Sequence, residues 1–459
     1  MDVTPQDEDA RTSSAETSAS PTEAIRPSGW RRYVNRTIAA EISTITRHFA
    51  RTIQWRPRKD DSGYLLTQIE CREKSVAADL SELSAPVGDA AIVLNGNLNH
   101  HYDIQALLEE LTPALGRSSR VIAVAYNPYL RAAYLLANWI GARAGELPTT
   151  FLTETDLRNL AALAGYQVVR IRPAVYLPWS MLGLGTLVNK LLPAIPLLRR
   201  LAFTSVITLR PLKPIVGRRP SISIIVPARN ERGNIESLLA RIPDLGTDVE
   251  IIFVEGHSTD GTWEEIQAVL ARPTPRFELR ALRQTGRGKS DAVRAGLDQA
   301  RGELLTILDA DLTVPPELLG RFYDAYCSGL ADFVNGTRLV YPMERAAMRY
   351  LNRLGNVFFA KALGAVLEVP LGDVLCGTKL MSRQDYARMV AWRRGFGEFD
   401  PFGDFELLFP AAVLGLGITD VPVRYRARTY GSTNISRFRH GALLLRMVAI
   451  GLWRIRLGR

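Results

Sequence analysis

The chain has 459 residues, 47% of them hydrophobic and 23% charged, with a formal net charge of +10. That composition suits two or three packed domains and excludes a wholly disordered or fibrous protein. Cys71, Cys327 and Cys376 are spaced neither as a disulfide framework nor as a zinc site, so they point to a reducing compartment.

Residues 1–28, beginning MDVTPQDEDARTSSAETSAS, are acidic and Ser/Thr-rich. Lacking an apolar core, they read as a disordered tail and not as a secretory signal. Residues 29–212 form one mixed segment. Within it the pattern predicts a strand over Asp89–Asn95, a helix over Ile104–Leu115, a strand over Arg120–Tyr126, a helix over Thr153–Ala164 and a strand over Gln167–Ile171. His100 and His101 read as a polar loop. The apolar stretch from Val175 to Leu198 carries Lys190, Pro178, Pro193 and Pro196, and so reads as a hairpin or loop that could touch lipid. Residues 213–220 are a basic, Pro-bearing linker.

From Ser221 strands and helices alternate, the α/β pattern. Strands are expected over Ser221–Pro227, Val249–Val254, Phe277–Leu282, Leu304–Leu308, Phe333–Arg338 and Ile418–Val423, with helices over Asn234–Ile242 and Lys289–Ala300. Loops after parallel strands gather on one sheet edge, where ligands bind in open α/β folds. Those loops carry Pro227-Ala228-Arg229-Asn230-Glu231, then Glu255, then Gly286-Arg287-Gly288-Lys289 before a helix N-terminus, then Asp309-Ala310-Asp311. A glycine-rich helix start favours phosphate. Two carboxylates one residue apart at a strand end can face one hard cation and the phosphate it bridges. His257 reads as a loop polar residue and Cys376 as a buried small one.

The last 39 residues hold nine arginines and no acid, a block that prefers phosphates or an anionic membrane surface. No zinc-finger, RRM-type or helix-turn-helix signature favours nucleic acid. Strand-like alternation over Val423–Arg428 puts Arg424, Arg426 and Arg428 on one face. Residues 436–459 read as a basic amphipathic helix, too short to span a bilayer, that either lies in the membrane interface or packs on the domain.

The set PARNE, VEGHSTDGT, RGKSDA and LDADL resembles family 2 glycosyltransferases of the GT-A fold, with polyprenyl-phosphate transferases nearest in pattern; it covers residues 221–435. The resemblance implies that Pro227, Ala228, Asn230, Glu231, Glu255, Lys289 and Ala310 bind a GDP- or UDP-sugar donor. It implies that Asp309 and Asp311 hold Mg²⁺ or Mn²⁺. The family's usual paired aspartates at the second strand are replaced here by Glu255-Gly256. On the acceptor side it assigns phosphate binding to Arg338, Arg424, Arg428 and Ser432. Arg349, Asn352 and Asn356 lie at near-helical spacing between these segments, and Gly372–Lys379 is similar to the family's Asp-x-x-[ST]-G turn. Asp404 stands where a catalytic acid is common, either as general base for a hydroxyl acceptor or as an orienting group for a polyprenyl phosphate.

Residues 89–171 resemble the C-terminal half of class I methyltransferases, but no glycine-rich loop precedes them, so S-adenosylmethionine is not expected. The expectation is therefore an α/β chain of two Rossmann-like domains, a partial methyltransferase-like sheet followed by a GT-A nucleotide-sugar transferase domain. It would be cytoplasmic, peripheral on the inner face of the membrane, moving a sugar to a polyprenyl phosphate. The alternatives are a hydroxyl acceptor, a bifunctional methyltransferase and glycosyltransferase, or a non-catalytic binding protein.

Overall fold

The structure is a computed structural model that describes residues 27, 29–83, 88–141, 146–272, 274–342, 350–396, 400, 403–428, 430 and 437–457. The expected tail over 1–28 falls almost wholly outside these residues, as do Arg349 and Ser432.

The first sheet comprises β1 (Arg51–Trp55), β2 (Glu73–Ala77), β3 (Ala90–Asn95), β4 (Arg120–Tyr126), β5 (Tyr166–Val175) and β6 (Thr204–Pro211). Its order is β2-β1-β3-β4-β6-β5. β6 runs antiparallel to β4 and β5, and the remaining pairs are parallel. Sequence pattern located β3, β4 and β5. It missed β1 and β2, which are short and carry Arg51, Gln54, Glu73 and Lys74, and it missed β6. Ile92, Leu94, Val121 and Ala123 on one face pack with Leu107, Leu108 and Leu111 of the helix Ile104–Leu111.

The second sheet comprises β7 (Ile222–Ala228), β8 (Val249–Glu255), β9 (Glu278–Arg283), β10 (Leu304–Ile307), β11 (Phe333–Thr337), β12 (Lys379–Ser382) and β13 (Ile418–Pro422). The order is β13-β11-β12-β10-β7-β8-β9. Only β12 is antiparallel to its neighbours, so its first residue, Lys379, reaches the edge where the parallel strands end. β7, β8 and β10 are buried on both faces, as their predominantly Ile/Val/Leu/Phe sequences require. The alternation over Val423–Arg428 is not a strand. The ladder ends at Pro422, followed by one bond from Val423 N–H to the Thr337 carbonyl and one from Arg426 N–H to the Thr313 carbonyl.

Two buried carboxylates of the second domain collect arginines from the first. Asp332, just before β11, is 2% exposed. Its Oδ2 receives Arg120 Nη2 at 2.7 Å and its Oδ1 receives Arg210 Nη1 at 3.1 Å, with Arg117 Nε at 3.5 Å. Spare guanidinium N–H groups donate to the carbonyls of Gly415, Gly329 and Tyr326. Glu368 accepts from Arg172, Arg199 and Arg456. Burial alone would raise its carboxyl, but these arginines outweigh it and hold the group at about 2.

The stretch expected as a hairpin from Val175 is instead a run of short helical segments over Met181–Gly183, Leu184–Leu191, Leu192–Ala194 and Pro196–Leu201. The final helix, Arg437–Gly451, continues as a wider turn over Leu452–Leu457 and packs on the helix Tyr350–Leu367. Leu444 and Met447 are buried in that contact, and Arg456 is buried against Glu368. Among the described residues no helix is long and apolar enough to cross a membrane.

Removing one partner of a buried ion cluster leaves uncompensated charge and typically costs about 3–5 kcal/mol. Asp332→Ala is therefore expected to lower unfolding free energy by about that amount, measured by urea denaturation. A loss comparable to that of an ordinary surface substitution would show that the arginines do not depend on Asp332.

Candidate donor and metal site

Residues from five strand ends meet at the edge where β7, β8, β10 and β11 finish and β12 begins. β10 stops at Ile307, and the chain turns through Leu308–Leu312, with Leu312 at φ 56°. Asp309 and Asp311 thus reach the site from a turn and not from alternation along a strand. Asp309 is gripped by Lys289 Nζ, 2.6 Å from Oδ1 and 2.8 Å from Oδ2. Asp311 Oδ1 accepts from Thr313 N–H (3.1 Å) and Oγ1 (2.7 Å), while Oδ2 pairs with Arg428 Nη2 at 2.7 Å. Arg428 Nη1 lies 3.7 Å from Glu231 Oε1.

Charge is closely balanced here. Burial works against the Lys289 ammonium, but Asp309 and then Asp404 outweigh it and hold the group above the ordinary lysine value. Burial would raise Asp309, yet Lys289, Lys379 and Arg428 bring it below the usual aspartate range. Glu231 goes the other way. Burial, opposed by the hydrogen bond from Asn234 and reinforced by Asp311, pushes it up to about 7.

The donor-side loops are braced against each other. Asn230, at φ 57°, accepts Thr259 N–H on Oδ1 at 2.9 Å and donates its own N–H to Ser258 Oγ at 3.0 Å. Glu255, ending β8, accepts Ser258 N–H on Oε1. Ala228 accepts Gly256 N–H at 2.9 Å, so Pro227 and Ala228 shape the loop through backbone. Beside these loops lies a cleft of about 470 Å³ lined by Arg229, Gly256, His257, Arg287 and Gly288. His257 Nε2 is 3.0 Å from the Gly286 carbonyl, a loop contact. Tyr430 donates its hydroxyl to Asp260 Oδ2 at 3.1 Å and covers Gly233, where a Cβ would strike its ring.

On the opposite side, Lys379 is fully buried and donates to Asp404 Oδ1 at 2.6 Å and to the Cys376 carbonyl. Lys379 is the functional residue that sequence reasoning left in a turn motif. Its signal was a lysine opening an otherwise apolar strand. Cys376 is buried, and its thiol is pushed up to about 11, chiefly by burial, which makes it a poor nucleophile. Arg338, expected at an acceptor phosphate, is committed to Asp373 through Nε (2.6 Å) and Nη2 (2.9 Å), with Tyr425 stacked on the guanidinium. Arg424 is exposed and Asn356 is buried on its helix; neither joins the carboxylate cluster through a described contact. Gly377 is a close position within the site, because a Cβ there would collide with both the Asp309 carboxylate and the Lys289 ammonium.

No group of three or more His, Cys, Asp or Glu poised to hold a metal occurs among the described residues. Asp309 and Asp311 offer oxygen donors alone, which fits a hard divalent cation whose other ligands are phosphate oxygens and water.

Residues 223–389 match the family Glycosyl transferase family 2. The dolichyl-phosphate hexose transferase of Haloferax volcanii is 30% identical over 225 residues, 49% of this chain and 90% of that enzyme. The dolichol-phosphate mannosyltransferase of Pyrococcus furiosus is 35% identical over 122 residues, and the match spans only 33% of its length and 26% of this chain. Among solved structures, Mycobacterium tuberculosis glucosyl-3-phosphoglycerate synthase aligns with a TM-score of 0.37 at 22% identity, over 51% of this chain and 80% of that one. The chain belongs to family 2 of the glycosyltransferases.

Two outcomes follow from the packing and charge. Gly377→Ala displaces Asp309 and Lys289, and misplacing reacting groups by about 1 Å can cost about 100-fold in rate; an unchanged transfer rate from nucleotide sugar would refute that role. Glu231 keeps its proton up to about pH 7 when folded but loses it near the ordinary glutamate value of 4.5 when unfolded. The folded chain thus binds more protons between those values, and this stabilising contribution, full below the lower value, is lost as pH rises through the upper one. Glu231→Gln should flatten the fall in urea midpoint between pH 5 and pH 8, and an identical fall in both proteins would refute the assignment.

Proposed function

We propose that the chain is an inverting glycosyltransferase that moves a sugar from a nucleoside-diphosphate sugar to a polyprenyl phosphate. The observation that carries this reading is the cluster in which Lys289 and Arg428 clamp Asp309 and Asp311 beside the Gly286–Gly288 cleft. Relatives support the acceptor class, among them the undecaprenyl-phosphate 4-deoxy-4-formamido-L-arabinose transferase of Pseudomonas aeruginosa, 30% identical over 176 residues.

In this mechanism Asp309 and Asp311 would hold Mg²⁺ or Mn²⁺, which would supply Lewis-acid stabilisation of diphosphate charge. Lys289 and the free N–H groups opening its helix bind the same phosphates. Glu231, Asn230 and Glu255 fix the loops around the nucleoside. Arg428, released from Asp311 when the donor enters, is placed to meet phosphate. Arg424 and Ser432 belong to the same acceptor-side segment, and Arg338, held by Asp373, supports it through Tyr425.

A phosphate acceptor is already ionised near neutral pH and needs no general base. The Asp404 oxygen held by buried Lys379 supports an orienting role in preference to proton abstraction. A hydroxyl acceptor remains the second reading, since Asp404 also stands where a base would serve it.

Exposed apolar side chains support a peripheral position on a membrane. Leu182, Leu184, Leu187 and Leu197 project from the short helices after β5, Leu351 and Phe358 from the helix Tyr350–Leu367, and Trp453 from the final turn. These elements pack on one another, and arginine with tryptophan beside an apolar face suits the bilayer interface.

The first domain fits a methyltransferase-like scaffold without S-adenosylmethionine. After β1 stands Arg56–Ser62 where a glycine-rich cradle would be needed. Asp61 Oδ2 takes Gln54 and Asn95 there, and the Arg58 guanidinium lies 3.0 Å from the Cβ position of Gly96.

Transfer is measured with a panel of nucleotide sugars, manganese and a short polyprenyl phosphate. Asp311→Asn is expected to lower the rate by about 100- to 1,000-fold, the scale of a lost electrostatic contact to the reacting charge, and an unaffected rate would sink the proposal. Asp404→Asn should cost about tenfold or less with a phosphate acceptor; loss of general-base catalysis, about 100- to 10,000-fold, together with sparing of lipid phosphate, would favour the hydroxyl reading.

A further inference from the structure

A second cleft, of about 630 Å³, opens between the two domains. It lies away from the donor site. β12 carries Lys379 at the donor edge, runs antiparallel, and ends at Ser382 on the other edge. The helix Arg383–Phe396 starts there and sends Arg388 and Trp392 into the cleft wall. Arg47, Arg72 and Arg170 come from the first domain and Arg454 from the final turn, against Asp89 as the one carboxylate among the lining residues.

This positive charge is only partly answered. Arg388 Nη1 is 3.3 Å from Asp385 Oδ1, and Nη2 is 3.9 Å from Asp89 Oδ1, beyond hydrogen-bond reach. Its Nε and Nη2 are buried without a hydrogen-bond partner, and so is Asp89 Oδ1. Buried donors in folded proteins normally find partners, and orphans mark a missing ligand, ion or water. Arg170 donates to Thr44 Oγ1 at 2.9 Å. Burial, and then the neighbouring Arg172, push Arg170 down to about 9. Burial and then Arg47, Arg388 and Arg170 push His48 down to about 4. Burial is the larger cause in both, neighbouring cations add to it, and Glu368 and Glu41 oppose it at Arg170. Phe49, under the Arg388 guanidinium at 5.0 Å, and Trp392, Val413 and Leu414 add an apolar wall.

We infer that this interdomain cleft binds a phosphate-bearing small molecule, its anionic group held by Arg47, Arg72, Arg170 and Arg388 and its apolar portion against Phe49 and Trp392. Guanidinium forks match phosphate oxygens in pairs. The occupant touches both domains and the helix that follows β12, so it fastens the first domain to the catalytic one. Such a ligand could be free in solution or the headgroup of a lipid, and the two share this chemistry.

Calorimetry on the full chain without divalent metal tests the site with two probes: inorganic pyrophosphate, and dihexanoyl phosphatidylglycerol below its micelle concentration. Wild type and Lys289→Ala, altered only in the donor site, are expected to bind one equivalent of at least one probe with similar affinity. The Arg47→Ala/Arg72→Ala double variant, changed at two exposed positions, should bind at least tenfold more weakly. The probe that binds more tightly identifies a soluble or a lipid source. Binding of neither probe, binding that the double variant leaves unchanged, or binding lost only in Lys289→Ala would overturn the inference.

Discussion

Carboxylates packed side by side where water is scarce must be matched by cations or by protons. In the second domain that requirement shapes everything around the donor edge. Glu231, the Asp309–Asp311 turn and Asp404 come from three segments, and Lys289, Lys379 and Arg428 are brought to them from three more. One negative charge is left over, and Glu231, with its carboxyl near neutrality, is the place where a proton can absorb it. Under the proposed function, an incoming cation and diphosphate would enter a set of charges already poised to be re-partnered. The glycine at 377 exists in the same frame, since no side chain fits between the Asp309 and Lys289 charges.

The same rule, applied with the signs reversed, joins the domains. The first domain supplies arginines, the second supplies Asp332 and Glu368, and each carboxylate is enclosed by several guanidinium groups with carbonyls taking the remaining N–H bonds. Apolar contact alone would let two faces slide. Buried forks permit one register, because a slip would strand charge in a dry interface.

Much of this was legible in the chain, for physical reasons that differ by element. β7, β8 and β10 are mostly apolar runs ending in polar loops, so pattern located both the strands and the edge proposed for the donor. Family resemblance added the identity of that edge, and the family match agrees with it. β12 escaped notice because four residues opening with a lysine carry no period. β6 escaped because it lies in apolar text that also contains turns. Arg338 and Arg428 illustrate a different gap. Sequence shows that an arginine is available for phosphate, but not which carboxylate holds it meanwhile, since Asp373 and Asp311 lie 35 and 117 positions away in the chain (373 − 338 and 428 − 311). The arginine alternation over Val423–Arg428 likewise looked like a strand because exposure does alternate there, while the backbone after Pro422 has almost no ladder to join.

The strand order has a consequence for how the molecule is made. The centre of its second sheet is β7 beside β10, yet Arg428, which answers Asp311, follows β13 at the far edge. On a chain synthesised from its N-terminus, Glu231, Asp309 and Asp311 emerge long before that arginine does. Of the three cations that pair within the cluster, Lys289 alone precedes the Asp309–Asp311 turn in the chain, so until Lys379 and Arg428 follow, the carboxylates there outnumber their partners. The charge balance of this edge is thus completed only once the segment after β13 is free to close over the earlier loops.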